Sequence, residues 1–390
     1  MNKGKYVFAQ VVTFLPARVF DRCVLNHQGD KWVKHFTCWN QLLCMIFGQL
    51  SNRDSLRDLL VCISAHQAKH YHLGFGKRVS RSNLAEANEK RDYHIFESFA
   101  YEMIAAAQKC CVPDGDFNLS IQGNVYAFDS TVIDLCLNVF WWATFRTTKA
   151  AVKLHTLLDV RTSIPVFVHV TKASVHDVKG LDELIYETGG YYVMDRAYVD
   201  FERLYRIDQH EAFFVTRAKT NSKLKRISSY KPDKSKGVLC DQHVILTGHY
   251  SYKSYPKHLR RIKYYDDEQK RTFIFLSNNL TLPAVEIAML YKYRWKIELF
   301  FKWIKQHLKI KSFWGTSENA VKIQVYVAVI TYTMVAIIKA KLKLKQTTYE
   351  ILQILNVSLL DRTPLPQLFE NPLSNDVKEQ NCIQLKINLI

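Results

Sequence analysis
The stretch that decides the fold is residues 291–305, YKYRWKIELFFKWIK. Pro283 lies upstream, where a helix's first turn tolerates it because its missing N–H would have no intrahelical partner. From 284 to 308 there is no Gly and no Pro, and apolar residues recur at helical spacing. The pattern predicts one continuous helix over 284–308. At about 100° per residue, Tyr291, Arg294, Glu298 and Lys305 fall in one narrow sector, flanked by Lys302 and Lys309. Beside it runs an apolar arc of Leu290, Ile297, Phe300, Phe301, Ile304 and Leu308. One edge therefore packs on a core, and the next presents a lone carboxylate among cations and a phenol. Such a carboxylate is either a surface ion pair of little worth or a metal ligand beside a phosphate-holding basic strip.

Working outward, composition narrows the choice. The chain has 390 residues, 48% of them hydrophobic, enough for a large core or two to three domains. Its formal net charge of +18 suits a polyanionic partner. Nucleic acid comes first, with ribosomes and membrane surfaces sharing the signature. The nine cysteines include no CxxC pair, which reads as reduced thiols of a cytosolic protein. The N-terminal MNKGKYVFAQVV lacks the long apolar segment of a secretion signal. The longest apolar run, 325–338, is short for a membrane span and reads as a buried helix. A cytoplasmic, nucleoid-associated protein with no membrane partner is expected.

Residues 1–115 read as helical. Asn83 with Glu86 resembles a capping box, opening a helix that breaks near Asp92. Short helices around the basic turn 72–81 suit a helix-turn-helix DNA reader, and equally a plain helical bundle. A polar linker, 113–123, suggests a domain boundary. Beyond it 125–137 is rich in strand formers, 152–160 and 164–171 form a hairpin around Arg161-Thr162-Ser163, 177–186 suits a helix, and 191–194 is a short apolar strand. A helix over 200–211 and a strand over 212–216 complete a mixed α/β sheet. Residues 217–271 hold fifteen Lys/Arg against five Asp/Glu and read as a small, basic antiparallel β subdomain inserted in the sheet. A returning strand over 271–276, the helix already described and two further helices over 319–355 follow. The tail after Asp361 reads as loosely ordered. The expected domains are 1–115, 120–216, 217–271, 272–318 and 319–390.

Three acids stand out by position. Asp129 lies in a strand, in Asp-Ser-Thr. Asp195 ends a short apolar strand, in Asp-Arg-Ala-Tyr, where open α/β sheets collect ligands. Glu298 lies on the helix. Three carboxylates from separate elements can hold two Mg²⁺ ions about 4 Å apart for in-line phosphoryl displacement, and oxygen-only ligands favour Mg²⁺ or Mn²⁺ over zinc. Taken singly, each acid also reads as a cap or a surface charge. Asp134 should face away from Asp129, Asp159 should serve the hairpin turn, and His176-Asp177 should cap the next helix. Trp141-Trp142 reads as core or interface.

The spacing Y-x2-R-x3-E-x6-K of Tyr291, Arg294, Glu298 and Lys305 resembles the signature of DDE transposases of bacterial insertion sequences, in the family numbered four. Asp129 in Asp-Ser-Thr and Asp195 in Met-Asp-Arg-Ala-Tyr are similar to that family's first and second catalytic regions. The resemblance covers 125–317. It implies an RNase H-like mixed sheet with a basic antiparallel β insertion, flanked by helical N- and C-terminal regions. It also implies two Mg²⁺ or Mn²⁺ ions on Asp129, Asp195 and Glu298, and DNA contacts from Tyr291, Arg294 and Lys305, to which the neighbouring Lys302 and Arg196 are added. The implied reaction is cleavage of double-stranded DNA at terminal inverted repeats. Water attacks first; the freed 3′-hydroxyl then attacks a phosphodiester of target DNA and displaces the target strand's own 3′-oxygen, in a complex built on a homodimer. The alternatives are an RNase H-fold nuclease or resolvase, and a transposase-derived DNA-binding repressor. In relatives a tryptophan of the β insertion stacks on a flipped base. Here no Trp lies between Trp142 and Trp295, and a Tyr or Phe has to supply that face.

Overall fold
The structure, a computed structural model, describes residues 4–75, 79–113, 117–119, 121–146, 149–307 and 313–370. The first part is helical: α1 (Val7–Val12), α2 (Ala17–Asn26), α3 (Cys38–Leu50), α4 (Leu56–Ala65), α5 (His70–Leu73), α6 (Arg81–Lys90) and α7 (His94–Cys110). The side chains of Thr37, Ser55 and Ser80 each accept a backbone N–H in the first turn of α3, α4 and α6, satisfying donors that have no intrahelical partner. The cap of α6 is therefore Ser80, not the expected Asn83–Glu86 box; Glu86 instead pairs with Lys90 at 2.6 Å, one turn on. The centre of the basic turn, 76–78, lies outside the described residues.

The strands are β1 (Val125–Leu135), β2 (Thr144–Arg146), β3 (Lys149–Asp159), β4 (Ile164–Lys172), β5 (Tyr191–Met194), β6 (Phe213–Arg217), β7 (Leu224–Tyr230), β8 (Val238–Leu246), β9 (Leu259–Asp266) and β10 (Arg271–Ser277). They form one ten-stranded sheet in the order β2-β3-β1-β5-β6-β10-β9-β8-β7, with β4 pairing β3. Within it, β4-β3-β1 are antiparallel neighbours, while β5 and β6 run parallel to β1. That five-strand order is RNase H-like. The β3–β4 turn is held by Asp159, which accepts from the Arg161 N–H at 2.9 Å and the Thr162 hydroxyl at 2.8 Å. The basic insertion is not a detached subdomain. Its strands β7, β8 and β9 join the central sheet through β10, which pairs both β9 and β6.

Helices α8 (Phe201–Gln209) and α9 (His249–Ser254) lie within the sheet region; α10 (Ala284–Lys292), α11 (Trp295–His307), α12 (Glu318–Leu342), α13 (Thr348–Ser358) and α14 (Leu365–Leu368) follow it. The predicted single helix over 284–308 is thus two helices. Between them the Tyr293 and Arg294 N–H groups reach back only three residues, to Leu290 and Tyr291, and Ile297 does the same to Arg294. This tightening to 3₁₀ geometry breaks the axis without Gly or Pro. The predicted helix 177–186 is a 3₁₀ turn over Asp177–Glu183. Leu308, Lys309 and the tail beyond 370 lie outside the described residues.

Two apolar layers flank the sheet. One is continuous from Tyr6 to Phe369, joining α1–α7, one sheet face, α10, α11 and α12–α14. The other packs the 3₁₀ turn and α8 on the opposite face. Helix α12 is long and apolar enough to cross a membrane, but 94% of its most apolar window is buried inside the protein, as expected for a core helix. Trp141, expected in core or interface, is 77% exposed, whereas the Trp142 indole N–H donates to the Thr316 carbonyl at 2.7 Å.

Candidate active site
Strand pairing places the two aspartates. Phe128 of β1 is in register with Met194 of β5, and Met194 with Thr216 of β6. The next residues of the three parallel strands are Asp129, Asp195 and Arg217, so two acids and a guanidinium leave adjacent strands at one level, about 5 Å apart. Arg217 Nη1 lies 3.9 Å from Asp195 Oδ1. Asp134 is exposed and an odd number of residues from Asp129, hence on the other face of β1.

The α10–α11 break brings the third acid in. Arg294, at the break, lies 3.4 Å from Asp129 Oδ2 and 2.5 Å from Glu298 Oε1. Tyr291, at the end of α10, donates its hydroxyl to Asp195 Oδ1 at 3.1 Å and carries the Arg294 guanidinium over its ring at 5.7 Å. Burial pushes the Tyr291 phenol up to about 12, so it stays a donor at neutral pH. Asp129 is the deepest of the three acids, its side chain 22% exposed against 35% for Asp195 and 34% for Glu298. Burial pushes Asp129 up to about 6, although the Ser130 N–H, Arg294 and Tyr198 all favour its ionised form.

Of the expected contact residues, Lys305 donates to the Val132 carbonyl of β1 at 2.6 Å. Lys302, one turn beyond Glu298, and Arg196, next to Asp195, are exposed. Three residues that the sequence reading passed over belong here: Ser130, Tyr198 and Arg217. The Ser130 N–H donates to Asp129 Oδ1 at 2.8 Å, and the Tyr198 hydroxyl to the same oxygen at 3.2 Å. Ser130 and Tyr198 were in view as members of Asp-Ser-Thr and Asp-Arg-Ala-Tyr. The signal for Arg217 is its place at the end of a parallel strand beside β5.

The donors suit a hard divalent cation: they are carboxylate oxygens only, and a guanidinium already bridges two of them. Among the described residues no three His, Cys, Asp or Glu side chains are gathered closely enough to hold an ion as they stand. Arg294 bridges Asp129 and Glu298 in this structure.

Residues 121–334 match the family model described as a transposase DDE domain, and residues 3–76 match a domain of unknown function, DUF4372. A putative transposase, y4zB, of Sinorhizobium fredii is 33% identical over 276 residues, covering 69% of this chain and 74% of that protein. A putative transposase for insertion sequence element IS4SA of Synechocystis sp. is 26% identical over 275 residues, covering 67% and 73%. A cryo-EM structure of the piggyBac transposase synaptic complex with hairpin DNA aligns over 95% of this chain and 83% of that one, with a TM-score of 0.47 and 9% identity. By this family match and these relatives, the chain belongs to the DDE transposases, enzymes that use divalent metal to cleave and transfer DNA strands in transposition.

Proposed function
We propose that this transposase cuts the terminal inverted repeats of its insertion sequence and joins the freed ends to target DNA, with Asp129, Asp195 and Glu298 holding two Mg²⁺ or Mn²⁺ ions. The observation that carries the reading is the single guanidinium of Arg294 spanning Asp129 and Glu298, with Asp195 one strand away. Asp195 lies outside that bridge and is held by Tyr291 and Arg217, so the reading requires the third acid to join the other two when metal and DNA bind. When bound, the ions supply Lewis-acid stabilisation of the attacking and leaving oxygens.

The chain's own residues do the rest. Tyr291 orients Asp195. Arg294 exchanges its carboxylates for a DNA phosphate, a bidentate partner it suits equally well. Lys302, Lys305 and Arg196 hold the backbone nearby. A cavity of about 380 Å³ beside Tyr291 and Arg294 is lined by Tyr264, Phe273, Phe275, Arg217 and Arg271. The guanidinium groups of Arg217 and Arg271 lie 5.3 and 5.5 Å from the Phe273 ring; Phe273 is itself buried, but it lines this cavity and is our candidate for the aromatic face that a tryptophan supplies in relatives. Of the insertion's tyrosines, Tyr255 and Tyr264 are buried, whereas Tyr250 is 84% exposed. The working species is a homodimer on paired DNA ends.

The test is end joining in vitro with labelled terminal-repeat DNA. Nicked and joined products should appear in Mg²⁺ or Mn²⁺. Nicks without joined product would favour a nuclease, and DNA binding with neither would favour a repressor.

A further inference from the structure
Behind Asp129, on the reverse face of the sheet, lies a polar cluster that the reaction as described does not use. Strand β3 pairs β1 with Asp129 opposite Thr156, Ser130 opposite His155 and Val132 opposite Lys153. Lys153 is almost wholly buried, its side chain 8% exposed, and its Nζ lies 2.8 Å from Asp177 Oδ1. The same Nζ donates to the Val175 carbonyl at 2.6 Å, and Ser130 Oγ donates to Asp177 Oδ1 at 2.6 Å. His176, at the head of the 3₁₀ turn, makes no side-chain cap, and Asp177 is spent on Ser130 and Lys153 instead. The expected capping role of the His176-Asp177 pair is therefore replaced.

The turn is pressed onto the sheet by a glycine. A Cβ on Gly180 would come within 2.6 Å of His155 Nδ1 and 3.0 Å of the Phe128 ring, so a larger residue would lift Asp177 away from Ser130. Lys153 is held out of water while the Asp177 side chain keeps 41% of its surface exposed, so burying the ammonium is an uphill step that an apolar side chain of similar volume would avoid. What the ion pair adds is a fixed acceptor for Ser130. Ser130 in turn presents its N–H to Asp129 Oδ1, while Tyr198 holds the same oxygen. Both donors act on Oδ1, which leaves Oδ2 as the oxygen facing Arg294 and Glu298.

We propose that Asp177, clamped by Lys153, is a positioning carboxylate that acts through Ser130 to fix Asp129 with Oδ2 turned toward the cation position. This rests on the reading of Asp129 as a metal ligand. Partners that orient a ligand typically change metal affinity by about 10- to 100-fold, so the readout is metal binding as well as turnover.

The experiment uses the full chain bound to end DNA. It measures Mn²⁺ binding by electron paramagnetic resonance, the Mn²⁺ midpoint of nicking, and Tm. Ser130→Ala removes the link and leaves the ion pair intact. The double variant Lys153→Met/Asp177→Leu removes the acceptor while keeping an apolar filling. Both should weaken Mn²⁺ binding on the order of tenfold at unchanged DNA affinity, and adding Ser130→Ala to the double variant should change nothing further. A Tm loss with Mn²⁺ affinity unchanged would make the cluster merely structural and overturn the proposal. Asp129→Asn separates the two levels. Mn²⁺ binding lost there but normal in Ser130→Ala refutes the positioning role alone. Mn²⁺ binding retained in Asp129→Asn refutes the ligand reading as well.

Discussion
The two halves of the sheet are built from the same backbone ladder and do opposite things. In the catalytic half, every residue of β3 from Ala150 to Leu158 is buried; in the insertion, every residue of β7 after Leu224 is exposed. Layers on both faces hold β1, β5 and β6 rigidly, so three parallel strand ends deliver Asp129, Asp195 and Arg217 at one level. Burial there shifts a carboxyl upward and leaves a guanidinium locked between acids. In the insertion the edge strand carries Lys225 and Arg226 into water, where their charges are screened and free to exchange counterions for phosphates. On the proposed reading, precision comes from dry packing and affinity from wet charge, because catalysis and DNA capture ask for opposite environments.

The largest effect should come from the buried half. Glu298→Gln keeps the shape but loses the anionic charge that a divalent cation requires. Single-turnover nicking should fall by several orders of magnitude, on the order of 4 kcal/mol or more of barrier, while end-DNA affinity stays level or tightens. Near-normal nicking would mean that the chemistry is not in this half at all.

Next comes the free-energy cost of burying Asp129. Its folded pKa of about 6 lies above the ordinary value of 3.8. The stability this group contributes is therefore full below about 3.8 and lost as pH rises through about 6. Metal-free Asp129→Asn escapes that penalty. It should be more stable than wild type at pH 8, by up to about 3 kcal/mol, with the gap closing toward pH 4 in urea titrations. A gap that ignores pH would show that the site is not desolvated as the structure has it.

The junction between the halves is the cavity around Phe273. If it holds an unstacked base, Phe273→Ala should cost about 1–3 kcal/mol and change 2-aminopurine fluorescence near the transposon end. Tyr250→Ala is the parallel test for the exposed insertion helix. Silence in both variants would remove base stacking from this region.

The smallest effects per residue belong to the wet half. Duplex binding should show a slope of log K against log salt steeper than about −5, at about 0.9 per phosphate contact. Replacing Lys225, Arg226 and Lys231 together by Gln should flatten it by about 2.7 and leave saturated nicking intact. Lys305→Ala should weaken binding at physiological salt and recover at low salt. A slope unmoved by the triple change would shift DNA capture to another surface.

Much of this was written in the chain itself. Periodicity located β1, the β3–β4 hairpin, β5 and α8 and marked the insertion as antiparallel β without resolving its strands, because period-two alternation and turn residues are local properties. The Y-x2-R-x3-E-x6-K spacing marked four candidate side chains on one stretch, and Asp159 announced its turn. Other features escaped for a common reason. The α10–α11 break has no Gly or Pro to mark it; at it, Arg294 reaches Asp129 of β1 and the Tyr293 hydroxyl accepts from the Asn118 N–H, partners far away in sequence. The joining of the insertion to the main sheet depends on β10 pairing on both edges. Asp177 looked like a cap because its partners, Lys153 and Ser130, come from two other strands. Residue identity and spacing thus determined which chemistry the chain carries. Long-range strand register and burial, which no local pattern encodes, decided which oxygen of Asp129 faces Arg294, what stands between the acids, and how much charge the site holds at neutral pH.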